Sequence, residues 1–512
     1  MKKTIAFYPF LFALYPIITL YSRNPGEIHP SETVRPLLGA LVFAWLLLLL
    51  VYLAAKDWLK SAFLTALTIF YLSSSGHVYR ILKDYVVKDS GSAWLHFVLI
   101  AIELSLILVI GSRPIWRRYF TVGRLRSGTI YLNIVSLLAL LYPLFSIGTF
   151  LYKTRDDALQ DWRNFIGLAD SPQALRSASQ PDIYYLIVDG YGRADVLQEI
   201  YHFDNSDFLQ YLSQRGFYIA SSSQSNYMQT ALSLTSSLNL DYLDGLAAQM
   251  ATADSRAPLL EGLQHSQVRA LLEEAGYKSV VVANVWLFTD IRDAQLYLTP
   301  YPHALPAFEE FWLGNSILPL FTNSLHQQMS FPSYDTHRKY VTYSLDALAE
   351  VAAVPGPKFV FAHILAPHPP FVFDRTGQPV NPSYTYFLGD ASGYQGTQEE
   401  YLTGYVDEVI YINQRLETTL DAILSKSAKP PVIILQGDHG PGMYTNVNSA
   451  DETCMKERFS ILNAYYLPGG TDPLYPAITP VNSFRLIFDK YFQTQLGFLP
   501  DKQYFSTRQY PY

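Results

Sequence analysis

Two stretches far apart in the chain each end an apolar run on an acid. Residues 181–193, PDIYYLIVDGYGR, stop at Asp189 and continue through glycines at 190 and 192. Residues 431–442, PVIILQGDHGPG, carry a second apolar run into Asp438, with His439 directly after it. A continuous apolar run bounded by a turn signal reads as a strand buried on both faces, as in the middle of a parallel sheet. In open α/β sheets, ligands bind beyond the carboxyl ends of such strands. Two strands delivering Asp189 and Asp438-His439 to one edge would assemble oxygen and nitrogen ligands for a divalent cation. Taken alone, Asp189 reads equally well as the cap of the turn that follows it.

Between these stretches lies Ser221 to Leu243, SSSQSNYMQTALSLTSSLNLDYL. A polar loop runs into Thr230, after which Ala231, Leu232, Leu234 and Leu238 give a helical apolar pattern. Thr230 thus stands at or next to a helix amino terminus, where free N–H groups and the helix dipole favour anions. The competing reading is an ordinary threonine cap. His363 and His368, in FAHILAPHPPFVFD, follow a further expected strand, and each also reads as a core or loop histidine.

The elements around these residues alternate. After the first strand come a helix near Asp204–Arg215, a short strand from Phe217, a helix at His265–Ala275 and a strand at Lys278–Ala283. Then follow a helix at Ser333–Ala352, a strand at Lys358–Ile364, a long helix at Thr397–Ser425, a strand at Val432–Leu435, a strand at Phe459–Leu467 and a helix at Val481–Phe492. This βαβ alternation predicts an α/β domain over 181–512, with a mostly parallel sheet and helices on both faces.

Upstream, residues 1–152 hold five apolar segments, Ile5–Tyr21, Pro36–Ala55, Trp58–Leu72, Ala93–Ile110 and Ile130–Tyr152, read as an α-helical membrane anchor of five transmembrane helices. The second, fourth and fifth come near the ~20 residues needed to span a bilayer, and the third, with Lys60 inside it, is the weakest. No small-residue cleavage site follows Leu20, so the first segment reads as a retained anchor. The loop Ser112–Ser127 carries Arg113, Arg117, Arg118, Arg124 and Arg126 and belongs on the cytoplasmic side, which places everything after Tyr152 outside. Glu103 within the fourth segment calls for a partner or a cavity. Residues 153–180 are polar and read as a linker.

Composition agrees with a chain partly in lipid: 49% of the 512 residues are hydrophobic and 16% charged. The net charge of -7 gives no electrostatic case for nucleic acid. Cys454 is the only cysteine, which excludes internal disulfides and cysteine-built zinc sites.

The ordered set VDGYGR, the Thr230 segment and GDHG resembles the alkaline phosphatase superfamily, especially its sulfatase-like branch, over about residues 181–492. With the five spans, the chain looks like the membrane-anchored lipoteichoic acid synthases and phosphoethanolamine transferases of the bacterial inner membrane. The resemblance implies that Asp189, Asp438 and His439 hold one divalent metal ion, with Thr230 as both ligand and nucleophile. It also implies that His368, in His368-Pro369-Pro370-Phe371, contacts the substrate phosphate. One histidine with carboxylates and a hydroxyl suits Mn or Zn about equally, with Mg a further choice. The transferases carry a substrate-contacting histidine before the Tyr405-to-Asp407 element, where this chain has Gly404. True sulfatases need Cys or Ser in a CxPxR-type segment, and Thr230-Ala231-Leu232-Ser233-Leu234 has neither that Cys nor the Pro and Arg. No Asp is followed four residues later by His, so the second metal site of the two-metal phosphatases is not expected.

The expectation is a membrane-anchored, metal-dependent phosphoester transferase or hydrolase acting through Thr230 on a lipid-linked or envelope glycan substrate. The alternatives are a catalytically silent envelope binding protein and, behind it, a sulfuric ester hydrolase. The topology is checked by a reporter fused after Tyr152, expected to be active only outside the cytoplasm; cytoplasmic activity would remove one span and the envelope substrate with it.

Overall fold

The computed structural model of the chain describes residues 4–25, 30–82, 120–154, 180–250, 256–302, 307–314, 333–384 and 386–512, with a few isolated residues between them. The fourth expected span with Glu103, part of the arginine-rich loop and nearly all of the linker lie outside the described residues. The chain divides into two compact units, Met1–Asp156 with His303–Phe331, and Asp157–Pro302 with Pro332–Tyr512.

The second unit is built on a seven-stranded sheet in the order β2-β7-β6-β1-β5-β3-β4. Its strands are β1 Ile183–Val188, β2 Tyr218–Ile219, β3 Lys278–Val282, β4 Leu296–Leu298, β5 Lys358–Ile364, β6 Val432–Gln436 and β7 Asn463–Tyr466. The neighbours from β6 through β4 pair in parallel, and β7 and β2 add an antiparallel edge. All six residues of β1 are buried because both faces are covered. Ile183, Tyr185 and Ile187 pack with the helices Thr230–Leu238 and Pro480–Phe492. Tyr184, Leu186 and Val188 pack with Tyr334–Val351 and Gln398–Lys426. The expected mostly parallel sheet with helices on both faces is therefore present.

A buried polar chain ties the Thr230 helix to this sheet. The Tyr185 hydroxyl lies 2.8 Å from Ser237 Oγ and donates to Gln436 Oε1 at 2.9 Å, while Gln436 donates onward to Asn463 at 2.9 Å. Such a network fixes one arrangement of its elements, because each member left alone in the core would be costly.

One strand departs from expectation. Phe459–Leu467 reads as continuous strand, but Met455–Phe459 is a short helix and pairing in the sheet begins only at Asn463. The intervening backbone is satisfied elsewhere: Arg193 donates to the Ser460 carbonyl at 3.2 Å and Leu462 to the Tyr191 carbonyl at 3.1 Å. The loop after β1 thus takes the hydrogen bonds that a longer strand would have used.

In the first unit the helices are Tyr8–Arg23, Ser31–Ala55, Trp58–Leu82 and Val122–Thr154. The third is longer than its apolar core suggests. Ser31–Ala55 and the Val122–Tyr152 stretch are long and apolar enough to cross a membrane. Their outward side chains are apolar, Leu50 being 66% and Phe145 70% exposed, which suits a hydrocarbon surround better than water. The Asn133 side chain accepts from the Phe7 and Tyr8 amides, each at 3.1 Å, so a neighbouring helix caps the amino terminus of Tyr8–Arg23. The helix Ala307–Gly314 also belongs to this unit. Its Phe308 is buried with Ala13, Ile17 and Ala40, and its Glu309 accepts from Arg35 Nε at 2.6 Å.

Candidate functional site

The central strands β1, β5 and β6 run parallel, so their carboxyl ends share one edge of the sheet, with Val188 opposite Ile364 and Ile187 opposite Gln436. Asp189 follows β1 at once, and Asp438 and His439 come two and three residues after β6. The chain turns at Gly190, whose φ of +72° is unfavourable for any residue with a Cβ, and the Gly190 amide donates to Asp438 Oδ1 at 3.0 Å. The turn of one strand therefore orients the acid of the other. Gly440 is required by crowding, since a Cβ there would collide with the Glu457 carbonyl oxygen.

Asp189, Asp438 and His439 are at most 3% exposed, and one ligand-type atom from each lies within 4.8 Å of the others. His439 Nδ1 stands 2.9 Å from the Gly440 carbonyl, which can only accept, so Nδ1 carries the proton. Burial, and then the charge of Arg458, lower the His439 pKa and keep the ring neutral. The bare Nε2 faces Asp438 Oδ2 at 3.3 Å and Asp189 Oδ1 at 3.6 Å. Both of those oxygens are buried without a hydrogen-bond donor. Burial alone raises an acid's pKa, but the charges of His368 and His363 outweigh it and hold Asp189 well below the usual carboxylate range. Two carboxylate oxygens without donors, drawn together beside an imidazole lone pair in a buried place, are unfavourable unless a cation joins them. The donor set fits a divalent metal ion of the Zn or Mn type.

Thr230 joins the same point. Its Oγ1 is 3.0 Å from His439 Nε2. The helix Thr230–Leu238 has Gln229 as its N-cap and no side-chain capping bond, so the ordinary cap reading of Thr230 does not hold. The helix is tied to the second acid by Ser233 Oγ, which donates to the Asp438 carbonyl at 2.7 Å. Thr230 is half-buried where the other three are buried, which leaves its hydroxyl open to a bound molecule.

Residues that sequence reasoning passed over complete the surroundings. His363, discounted as a core histidine, is 1% exposed and holds Nε2 3.2 Å from Asp189 Oδ2, with Nδ1 fixed 2.8 Å from Thr289 Oγ1. The signal was available in its place at the end of β5, beside the strand that ends on Asp189. Arg458 brings Nη2 to 3.2 Å from His439 Nε2 and pairs with Asp390 at 2.7 Å. Tyr405 accepts from the Gly192 amide at 3.0 Å and donates to the Gly190 carbonyl at 2.9 Å, clamping the turn after Asp189. Asp407, two residues on, pairs instead with Arg375.

His368 lies close by, its ring centroid 6.4 Å from that of His439, and its Nδ1 is 2.5 Å from the Pro369 carbonyl. It is near the cluster without being part of it. At Gly404 a Cβ would run into the ring of Phe371, from the same His368-to-Phe371 element. The position before Tyr405 therefore has no room for a side chain.

The sulfatase family model matches residues 181–482. The chain belongs to the sulfatase family. This family membership agrees with the superfamily resemblance of the VDGYGR, Thr230 and GDHG segments. No curated protein matches the sequence. Among solved structures, the chain is similar to the C-terminal periplasmic domain of EptC from Escherichia coli in complex with Zn, at 12% identity and a TM-score of 0.41, covering 64% of this chain and 85% of that one. It is also similar to the integral membrane lipooligosaccharide phosphoethanolamine transferase A from Neisseria meningitidis, at 12% identity and a TM-score of 0.36, covering 97% of each chain. The phosphonate monoester hydrolase of Agrobacterium radiobacter is similar at 12% identity and a TM-score of 0.42, covering 62% of this chain and 74% of that one. At these values none of the likenesses bears on the reaction.

Behind the site, Glu408 accepts from the Val372 and Phe373 amides, the second at 3.1 Å, and so anchors the loop that follows His368. Burial raises its pKa from 4.5 to about 8 against the lowering effect of those two bonds. A raised folded-state pKa contributes stability that is fully present below the unfolded value and is lost as pH rises through the folded one. Stability is therefore expected to decline between about pH 4.5 and 8 through this group. Glu408→Gln, a neutral isostere, is expected to flatten that decline and to exceed the wild type in unfolding temperature above pH 8. Identical pH profiles for the two proteins would show that Glu408 is not protonated in the folded chain.

Proposed function

We propose that this sulfatase-family protein is a membrane-anchored, metal-dependent enzyme that transfers or hydrolyses phosphoesters through Thr230, with its α/β domain outside the cytoplasm. The observation that carries the reading is the 3.0 Å approach of Thr230 Oγ1 to the bare Nε2 of His439, beside two buried carboxylate oxygens that lack donors. Asp189, Asp438, His439 and Thr230 are the residues that would hold a single Mn or Zn ion. When bound, such an ion lowers the pKa of the threonine hydroxyl and neutralises charge on phosphoryl oxygens.

The chain's own residues then define two displacements at one phosphorus. Thr230 Oγ1 forms a bond to phosphorus, the bond to the leaving oxygen breaks, the threonine proton leaves with that oxygen, and Thr230 keeps the phosphoryl group with any remaining substituent. Water or an acceptor hydroxyl next attacks the same phosphorus, the Oγ1–phosphorus bond breaks, and the attacking group's proton returns to Thr230. Asp189 and Asp438 are oriented by His363 and the Gly190 amide. His368 is assigned to the substrate phosphate. Family membership alone does not choose the ester, but the segment Thr230–Leu234 lacks the Cys, Pro and Arg from which sulfatases make their modified nucleophile. The outward placement and the apolar helices favour a lipid-linked or envelope glycan substrate.

The test is a threonine series with an artificial phosphodiester. Turnover is expected to fall from Thr to Ser and to drop on the order of 10³-fold or more in Thr230→Ala. Because the Thr230 side chain makes no capping bond, the Ala protein is expected to lose less than about 1 kcal/mol of stability. Mass spectrometry of the quenched wild type is expected to find on Thr230 the phosphoryl group with the substrate's remaining ester substituent. An Ala variant that turns over normally would end the nucleophile assignment.

A further inference from the structure

Arg458 is a charged group buried beside the cluster, and the reading of Asp189, Thr230, Asp438 and His439 leaves it without a task. Its side chain is 5% exposed, and three contacts on two of its nitrogens fix it in place. Nε donates to the Met228 carbonyl at 2.8 Å, and Nη1 donates to Asp390 Oδ2 at 2.7 Å and to the Gly440 carbonyl at 3.1 Å. Asp390 is itself held, since it accepts from the Tyr401 hydroxyl at 2.7 Å, and that hydroxyl accepts from the Gly442 amide at 2.8 Å. These acceptors belong to the loop before the Thr230 helix, the loop after β6 and the loop before the long helix Gln398–Lys426. A guanidinium gripped in this way keeps its plane and its direction.

The third nitrogen, Nη2, is held differently. Its neighbour is His439 Nε2 at 3.2 Å, the same lone pair that Thr230 Oγ1 approaches at 3.0 Å. A guanidinium carries no acceptor and cannot give up its charge, so Nη2 must always face an acceptor. A lone pair used for a metal is no longer available to it. Because Thr230 Oγ1 and Nη2 meet the same nitrogen, an oxygen of a group bound at Thr230 is within reach as a replacement acceptor. Among the described residues one cluster of metal-ligating type is formed, and Arg458 supplies a fixed positive charge beside it.

We propose that Arg458 Nη2 binds a non-bridging oxygen of the phosphoryl group held at Thr230, supplying a fixed positive charge beside the metal, with Asp390 as the positioning residue that aims it. This rests on the phosphoester reading above and names its anion subsite. The planar fork matters as well as the charge, because a lysine ammonium cannot hold Asp390 and Gly440 on one side while presenting a donor on the other.

The experiment measures binding of orthovanadate to the full-length, metal-loaded protein in detergent by calorimetry, together with metal content and unfolding temperature. Relative to wild type, Arg458→Met is expected to weaken orthovanadate binding about 10- to 100-fold, the range of a charge-assisted hydrogen bond, with metal content unchanged. Arg458→Lys is expected to fall between the two, and Asp390→Asn to weaken binding with the arginine still present. With a phosphodiester substrate, kcat/KM is expected to fall in parallel with orthovanadate affinity. A purely structural arginine would instead lower the unfolding temperature and leave affinity per folded molecule at the wild-type value; that result in Arg458→Met overturns the proposal. Where Arg458→Met does not fold, Arg458→Lys decides by the same criterion. A wild-type protein that holds its metal but does not bind orthovanadate, and shows no phosphothreonine, overturns the phosphoester reading itself; weakened variants alongside an intact Thr230 adduct leave that reading standing and support the arginine.

Discussion

Two buried carboxylates converge on one imidazole lone pair, and much of the surrounding structure serves to hold that arrangement. Asp189 and Asp438 repel each other, and each has an oxygen without a donor. Such a pair is unfavourable in a folded core unless positive charge reaches it. The sheet supplies the geometry, because β1 and β6 are parallel neighbours and bring both acids to one edge without a long loop. The Gly190 amide, the Tyr405 clamp and the Ser233 bond to the Asp438 carbonyl then fix the turns. The positive charge at hand comes from groups on separate elements, the buried guanidinium of Arg458 among them, and the rest is left to a metal ion.

The supporting layer shows how a single site draws on the whole domain. Thr289, near the carboxyl end of β3, fixes the ring of His363 at the end of β5, and His363 in turn lies against Asp189. Gln436, in the last position of β6, links Tyr185 of β1 to Asn463 of β7. The loop bearing His368 is held from the long helix by Glu408. Catalytic precision of this kind depends on groups whose own positions are locked by packing and hydrogen bonds.

What the sequence makes legible, and what it hides, follows from how far each signal reaches. Asp189 and Asp438-His439 are legible because an apolar run that ends on an acid is a local pattern. The helices at Gln398–Lys426 and Pro480–Phe492 are likewise set by local periodicity and capping, such as the Thr397 and Glu400 capping box. Arg458 is not legible, since nothing in the sequence Lys456-Glu457-Arg458-Phe459 indicates that its third residue turns inward to meet an aspartate in a distant loop. His363 is legible only in part: its place at the end of an expected strand is local, but its value depends on β5 lying next to β1, a pairing across more than a hundred residues. The strand expected from Phe459 fails because the loop after β1 claims its first backbone groups, which is a tertiary event.

Gly404 and Phe371 illustrate how family resemblance and local packing combine. The motif locates the position, and the ring that fills it explains why no side chain stands there. Packing of the long helix against the loop after β5 therefore fixes glycine at position 404.

The central claim is that Asp189, Asp438 and His439 exist to hold a cation, and metal content tests it most directly. Full-length protein equilibrated with Zn or Mn and then freed of excess ion is expected to retain about one equivalent per chain. His439→Ala and Asp438→Asn are expected to retain almost none while unfolding cooperatively, because their side chains lie in the turns beyond β6 and not between the sheet and its helices. A wild-type protein that keeps no metal, or variants that keep as much as the wild type, would contradict the account.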